Sequence, residues 1–177
     1  MAALQGLMAQ QDEAALKARL QSHVEVLASD SCEGRGLGTA GKDRAMRYIE
    51  ARFKEIGLEP VRENGFFLPF SLKIGLARVS AVNIAGMIPG SDPELKDEII
   101  VIGAHYDHLG YNLVKEEKFI YPGADDNASG VASMIELARI FQSRKGELKR
   151  TLLFVAFDGE ESGLLGSKRF TEDTSLC

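Results

Sequence analysis

Three short segments concentrate the residue types that bind metals and move protons. They are His105-Tyr106-Asp107-His108, Gly123-Ala124-Asp125-Asp126-Asn127-Ala128-Ser129-Gly130 and Asp158-Gly159-Glu160-Glu161-Ser162-Gly163. The first follows an apolar run over 99–104 and the third follows another over 152–157. Both runs read as strands, and in an open α/β sheet ligands gather where strands end. Imidazole and several carboxylates converging there point to a divalent metal, most simply zinc.

Each segment has its own chemistry. His105 closes a strand and Asp107 lies two residues later, where a carboxylate can hold one ring N–H and leave the other nitrogen free for a metal. A core histidine satisfied by an aspartate would look the same. His108 leaves the strand in another direction, which suits a substrate-side or structural role. Either Asp126 or Asn127 can cap a following helix. Two acids in a tight turn nevertheless repel unless a cation is near, and one carboxylate can bridge two ions. Adjacent glutamates after a strand point different ways, so of Glu160 and Glu161 one can bind metal while the other acts as general base. A cap or an exposed acidic turn accounts for any one segment, but not for all three at loop positions of one sheet.

The elements that must position these residues follow from periodicity. Residues 12–29 read as an amphipathic helix with Leu16, Leu20, Val24 and Leu27 on one face. His23 on that helix reads as a packing or surface residue. The Gly-rich run over 31–41 lacks the Gly-Lys-Ser/Thr ending of a phosphate loop and reads as a closely packed loop. A second helix is predicted over 43–56, with Ala45, Ile49, Phe53 and Ile56 inward and Gly57 as its C-cap. Strands are predicted over 66–72 and 78–88, with a turn over 89–93. Residues 98–104 read as a central strand covered on both faces, 111–122 as a loop, and 128–143 as a helix burying Val131, Met134, Ile135, Ala138 and Phe141. Residues 151–157 read as a buried strand, and a last helix is expected from Ser162 or Gly163. Alternating strands and helices give a three-layer α/β/α sandwich with a mixed, largely parallel sheet.

The net charge of −5 argues against nucleic acid as a partner. No apolar run is long enough to predict a membrane span. The first residues have neither a basic n-region nor a long apolar stretch, so no signal peptide is expected. Cys32 and Cys177 read as two unrelated thiols.

Taken in order, the three segments resemble the M28 family of zinc metallopeptidases, with the third extending from Phe157 to Ser167. The chain is also similar to that family over Ser80–Gly86 and Glu33–Arg35. The resemblance runs from about residue 12 and implies an aminopeptidase acting on peptide substrates, with a co-catalytic pair of zinc ions. Carried over by motif, His105 would bind one zinc, Asp125 would bridge both and Glu161 would bind the other. Glu160 would be the general base, Asp107 would orient His105, and the Asp125–Asp126 peptide would be cis. The family draws two further ligands, an aspartate and a histidine, from the C-terminal half of its domain. Glu172 and Asp173 match no such motif, and no histidine follows His108. Residues 1–177 are therefore expected to form one partial catalytic domain with little activity alone, and an incomplete sheet would leave an edge through which a second copy could pair. The resemblance favours a periplasmic or secreted setting. Glutaminyl cyclase, a single-zinc relative, shares a similar Phe-Asp-Gly-Glu-Glu segment. A receptor-like module that has lost its metals would be expected to lack His105, Asp125, Glu160 and Glu161, all of which are present.

Overall fold

The fold was described from a computed structural model covering residues 2–74 and 77–173; Cys177 lies outside the described residues. Helix α1 spans Ala2–Leu27, and a 3₁₀ turn at Asp30–Arg35 leads into helix α2, Ala40–Ile56. Thr39 caps α2 by accepting from the Lys42 amide, and Gly57 ends it at φ 83°, so the capping predicted for Gly57 holds. The inward stripe of α2 is Ala45, Ile49, Phe53 and Ile56, the spacing expected of a helix with one buried face. Strands follow as β1 (Glu59–Pro60), β2 (Phe67–Ile74), β3 (Ala77–Ile88), β4 (Ile99–His105), β5 (Tyr111–Val114) and β6 (Glu117–Ile120). Helix α3 (Ser129–Ser143), strand β7 (Thr151–Phe157) and helix α4 (Leu165–Thr171) complete the order. The last helix starts at Leu165, two residues later than the sequence suggests, because Gly163 and Leu164 are left-handed at φ 105° and 60°.

The main sheet runs β1-β3-β7-β4, with β2 also paired to β3. It is mixed, yet only β4–β7 is parallel and the other three pairings are antiparallel, so it is less parallel than the alternation of strands and helices implies. Strand β7 sits inside the sheet and is buried along nearly its whole length. Its even residues, Leu152, Phe154 and Ala156, join Ile84 and Ile88 beneath α1, α2 and α3. Its odd residues, Leu153 and Val155, join Leu68 and Ala85 on the opposite face, with Phe170 of α4 packed against them. Burying each large apolar side chain contributes about 1.5–3 kcal/mol, so β7 is the spine of both layers.

Two elements depart from expectation. Strand β4 is an edge strand paired only with β7, and Ile99, Ile100 and Val101 are 42%, 47% and 48% exposed. Its composition suits burial on both faces, but the described residues supply a neighbour on one side alone. Residues 111–120, predicted as loop, form the β5–β6 hairpin. Its turn is Lys115-Glu116 at φ 49° and 71°, a conformation normally announced by Asn or Gly, which the sequence does not provide.

Helix α1 is tied to α2 and α3 by buried polar groups. His23 meets Tyr48 Oη through Nδ1 at 2.6 Å and Glu136 Oε1 through Nε2 at 3.2 Å. Glu136 also accepts from Arg19 at 2.7 Å and Arg139 at 3.2 Å. Burial pushes the His23 pKa below the free value of 6.5, outweighing the opposing hydrogen bond and charge of Glu136. The unfolded chain therefore takes up this proton first as pH falls. The contribution of His23 is fully present above about pH 6.5 and is lost as pH drops through that value toward the lower folded pKa. Urea denaturation should show unfolding free energy declining between about pH 7 and pH 5.5. Replacement His23→Gln should flatten that part of the profile; an unchanged slope in the variant would show that His23 is not its source.

Candidate metal centre

The parallel pairing of β4 with β7 places His105 opposite Phe157, so both strands end together and their loops leave side by side. The ladder continues one step further, with the Tyr106 amide donating to Phe157 O at 2.9 Å. Tyr106 is turned into the core, and its hydroxyl lies 2.9 Å from Val82 O and 3.2 Å from Asp158 Oδ2. Asp158 is fully buried and also accepts from Lys42 Nζ at 2.5 Å and the Val82 amide at 2.9 Å. Its own amide donates to Asn83 Oδ1 at 3.0 Å. Asp158 is thus an anchor for the start of the Glu160-Glu161 loop. The sequence gives no direct sign of this role, since an acid beside two other acids reads as part of one surface turn.

Asp107 is buried as well, and its carboxylate accepts from the Glu160 amide at 3.1 Å and the Glu161 amide at 3.2 Å. The link to His105 runs through its main chain: His105 Nδ1 lies 3.2 Å from Asp107 O, while Nδ1 to Oδ1 is 3.9 Å, too long for a hydrogen bond. A carbonyl can only accept, so Nδ1 is the donor on this side of the ring, and Nε2 is the nitrogen turned toward the cluster. Burial raises the Asp107 pKa, with the two amide bonds opposing and the Asp158 charge reinforcing the rise.

Nε2 faces a carboxylate. His105 Nε2 lies 3.1 Å from Asp126 Oδ1, while the other oxygen of Asp126 is 3.9 Å from His108 Nδ1. His108 Nδ1 in turn lies 2.8 Å from Glu161 Oε1, and Glu160 Oε2 is 3.9 Å from His105 Nδ1. Among the described residues no lysine or arginine pairs with Asp126, Glu160 or Glu161. Donor atoms of His108, Asp126 and Glu161 all lie within 4.8 Å of one another. Zinc holds nitrogen and oxygen ligands at about 2.0–2.2 Å, so donors around one ion stand up to about 4 Å apart, and small side-chain adjustments would close this cluster on a cation. The mixed imidazole and carboxylate donor set fits such an ion.

His105, Glu160 and Glu161 therefore come together as the sequence suggests, and His108 joins them. The aspartate is displaced by one residue. Asp126, not Asp125, faces the histidines, and the cis peptide is Asp126–Asn127, not Asp125–Asp126. Asp125 lies at the start of the turn with its carbonyl accepting from Ser129 Oγ at 2.8 Å, and the 63% exposed carboxylate of Asp126 is the one presented to the cluster. Asn127 Oδ1 accepts from the Gly130 amide at 3.0 Å, which satisfies one amide in the first turn of α3, although the N-cap position itself is Ala128.

Comparison with known proteins is consistent with this geometry. The model described as "Peptidase family M28" matches residues 83–176, more than half of the chain. A probable zinc metalloprotease of Pyrenophora tritici-repentis is 35% identical over 147 residues, covering 82% of this chain and 33% of that protein. Aminopeptidase YwaD of Bacillus subtilis is 36% identical over 78 residues, covering 44% of this chain and 15% of that protein. The chain thus spans about a third or less of the length of these relatives. A glutaminyl cyclase from an Acidobacteriales bacterium superposes with a TM-score of 0.65 over 89% of this chain and 53% of its own, at 20% identity, a likeness of fold.

Titration of the metal-free chain with zinc should separate the two aspartates. Asp126→Ala is expected to weaken binding by more than the roughly 10–100-fold typical of residues that only support a ligand. Asp125→Ala should bind within a few-fold of the parent chain. The opposite ranking would restore Asp125 as the ligand.

Proposed function

This chain belongs to peptidase family M28, and on that premise we propose that its His105, Asp126 and Glu161 hold zinc in the centre of an aminopeptidase with Glu160 as general base. The observation that carries this reading is the approach of His105 Nε2 to Asp126 at 3.1 Å beside a Glu160 carboxylate that pairs with no lysine or arginine among the described residues. The shared position of Asp126, one oxygen toward His105 and the other toward His108, suits a carboxylate serving two ions. His108, grouped with Asp126 and Glu161 and 2.8 Å from the latter, would share the ion that Glu161 holds. Bound zinc would supply Lewis acidity, polarising a peptide carbonyl and making water a stronger acid.

The chain's own residues do the rest. Asp107 fixes the Glu160 and Glu161 amides, which holds both carboxylates beside the C-terminal ends of β4 and β7. Glu160 takes a proton from the attacking water and returns it to the departing amine, a role for which a partly exposed carboxylate is suited. The acidic surroundings favour a substrate with a free N-terminal ammonium group. The exposed edge of β4 is the place where a further strand, from a second copy or from elsewhere in a longer protein, would pair.

A glutaminyl cyclase-like reading draws support from the shared fold and from a single three-donor cluster that fits one ion. Metal stoichiometry separates the two: two ions for the peptidase and one for the cyclase.

Hydrolysis of a leucine chromogenic anilide in the presence of zinc tests the peptidase reading. Glu160→Gln should lower kcat by about 10²–10⁴ while leaving bound metal unchanged. A variant that keeps kcat within about threefold would remove Glu160 from the role of base, since that loss is far below the usual contribution.

A further inference from the structure

Arg35 is fully buried, yet among the described residues no carboxylate hydrogen-bonds its guanidinium. Its N–H groups go to main-chain carbonyls. Nε donates to Tyr106 O at 2.8 Å, and Nη1 donates to Leu27 O at 2.6 Å and Pro122 O at 2.8 Å. Nη2 donates to Gly123 O at 2.7 Å and, more weakly, to Asp126 O at 3.4 Å. A guanidinium has five donors, so the set is filled. Burial lowers the Arg35 pKa, while the charges of Asp107, Asp126 and Glu161 are among those that oppose the shift.

The Arg35 backbone takes part too. Its carbonyl accepts from the His108 amide at 3.1 Å, and that of Gly34 accepts from Gly110 at 3.0 Å. Glu33, Gly34 and Arg35 are all left-handed, at φ 48°, 61° and 51°, a run that L side chains avoid unless the surroundings impose it. A Cβ on Gly34 would lie 2.1 Å from Gly110 O, so this approach requires glycine. Arg35 thus bonds to the His105–His108 segment at two points and to the Pro122–Asp126 turn at three, with Leu27 its other hydrogen-bond partner among the described residues.

We infer that Arg35 is the positioning residue of this site: by filling five carbonyls it fixes the Asp126 turn against the His105–His108 segment and sets the spacing of the metal-binding side chains. The inference rests on the metal-site reading above. Lysine keeps the charge but offers three donors on one atom, so it cannot bridge the two segments as the planar fork does. Gly123 tests the clamp from the other side. A Cβ there would lie 2.6 Å from Arg35 Nη2 and 2.4 Å from both His108 Cδ2 and Asp126 O.

The test is cobalt(II) titration of the purified chain, followed by visible absorption, with amide hydrogen exchange on the metal-free protein. Arg35→Lys and Gly123→Ala should each weaken cobalt binding by about 10–100-fold and alter the d–d spectrum. In the metal-free variants the Ala128 amide, which donates to Gly123 O, should exchange faster while β7 amides keep parental protection. Ile135→Val in α3, a destabilised control remote from the clamp, should keep the parental spectrum. Folded Arg35→Lys protein with parental affinity, spectrum and Ala128 exchange would overturn the inference; if Arg35→Lys does not fold, Gly123→Ala decides by the same readouts. A parental chain that binds no cobalt would overturn the metal reading instead, and Ala128 exchange would still decide whether Arg35 holds the turn.

Discussion

The parallel register of β4 and β7, with His105 opposite Phe157, is the contact on which the rest of the site depends. It brings the loops after β4 and β7 out of the sheet at one level, where Glu161 comes within 4.8 Å of Asp126 from the turn before α3 and Glu160 stands beside it. Such carboxylates repel, and nothing in a surface turn would keep them together. The fold answers with rigid polar anchors underneath. Asp107 draws in the Glu160 and Glu161 amides, and Asp158 is gripped by Lys42, Tyr106 and the Val82 amide.

These anchors are costly in themselves. A buried ion pair such as Lys42–Asp158 gives up hydration that its attraction only partly offsets. Asp158 Oδ1 has no hydrogen-bond partner among the described residues, and three consecutive left-handed residues deliver Arg35. Such departures from local preference concentrate where a structure serves function more than stability. Here they lie directly beneath the proposed metal centre, while the apolar packing of α2, α3 and β7 follows ordinary rules.

Much of this was legible from residue order. The 4-4-3 spacing of Ala45, Ile49, Phe53 and Ile56 marks α2, Gly57 marks its end, and the apolar run at 152–157 marks β7. His105, Glu160 and Glu161 stand out in the sequence because they follow such runs. Asp126 was mistaken for Asp125 because two identical neighbours in a turn carry no periodicity, and only the backbone path decides which carboxylate faces inward. The hairpin was hidden by a Lys115-Glu116 turn without Asn or Gly, and the edge position of β4 by a composition suited to a covered strand. Arg35 and Lys42 could not be told from solvated basic residues, since burial of a charge is decided by partners distant in sequence.

The account makes one central claim, that the buried frame holds the donors in place before any metal arrives. Crystals of the chain with and without zinc, with anomalous data at the zinc edge, test it most directly. Anomalous density is expected among His105, His108, Asp126 and Glu161, with the Tyr106–His108 and Gly123–Asp126 backbones superposing within about 0.5 Å, the tolerance of a preorganised site. Density at other residues, or donor loops that reorganise when zinc enters, would contradict it.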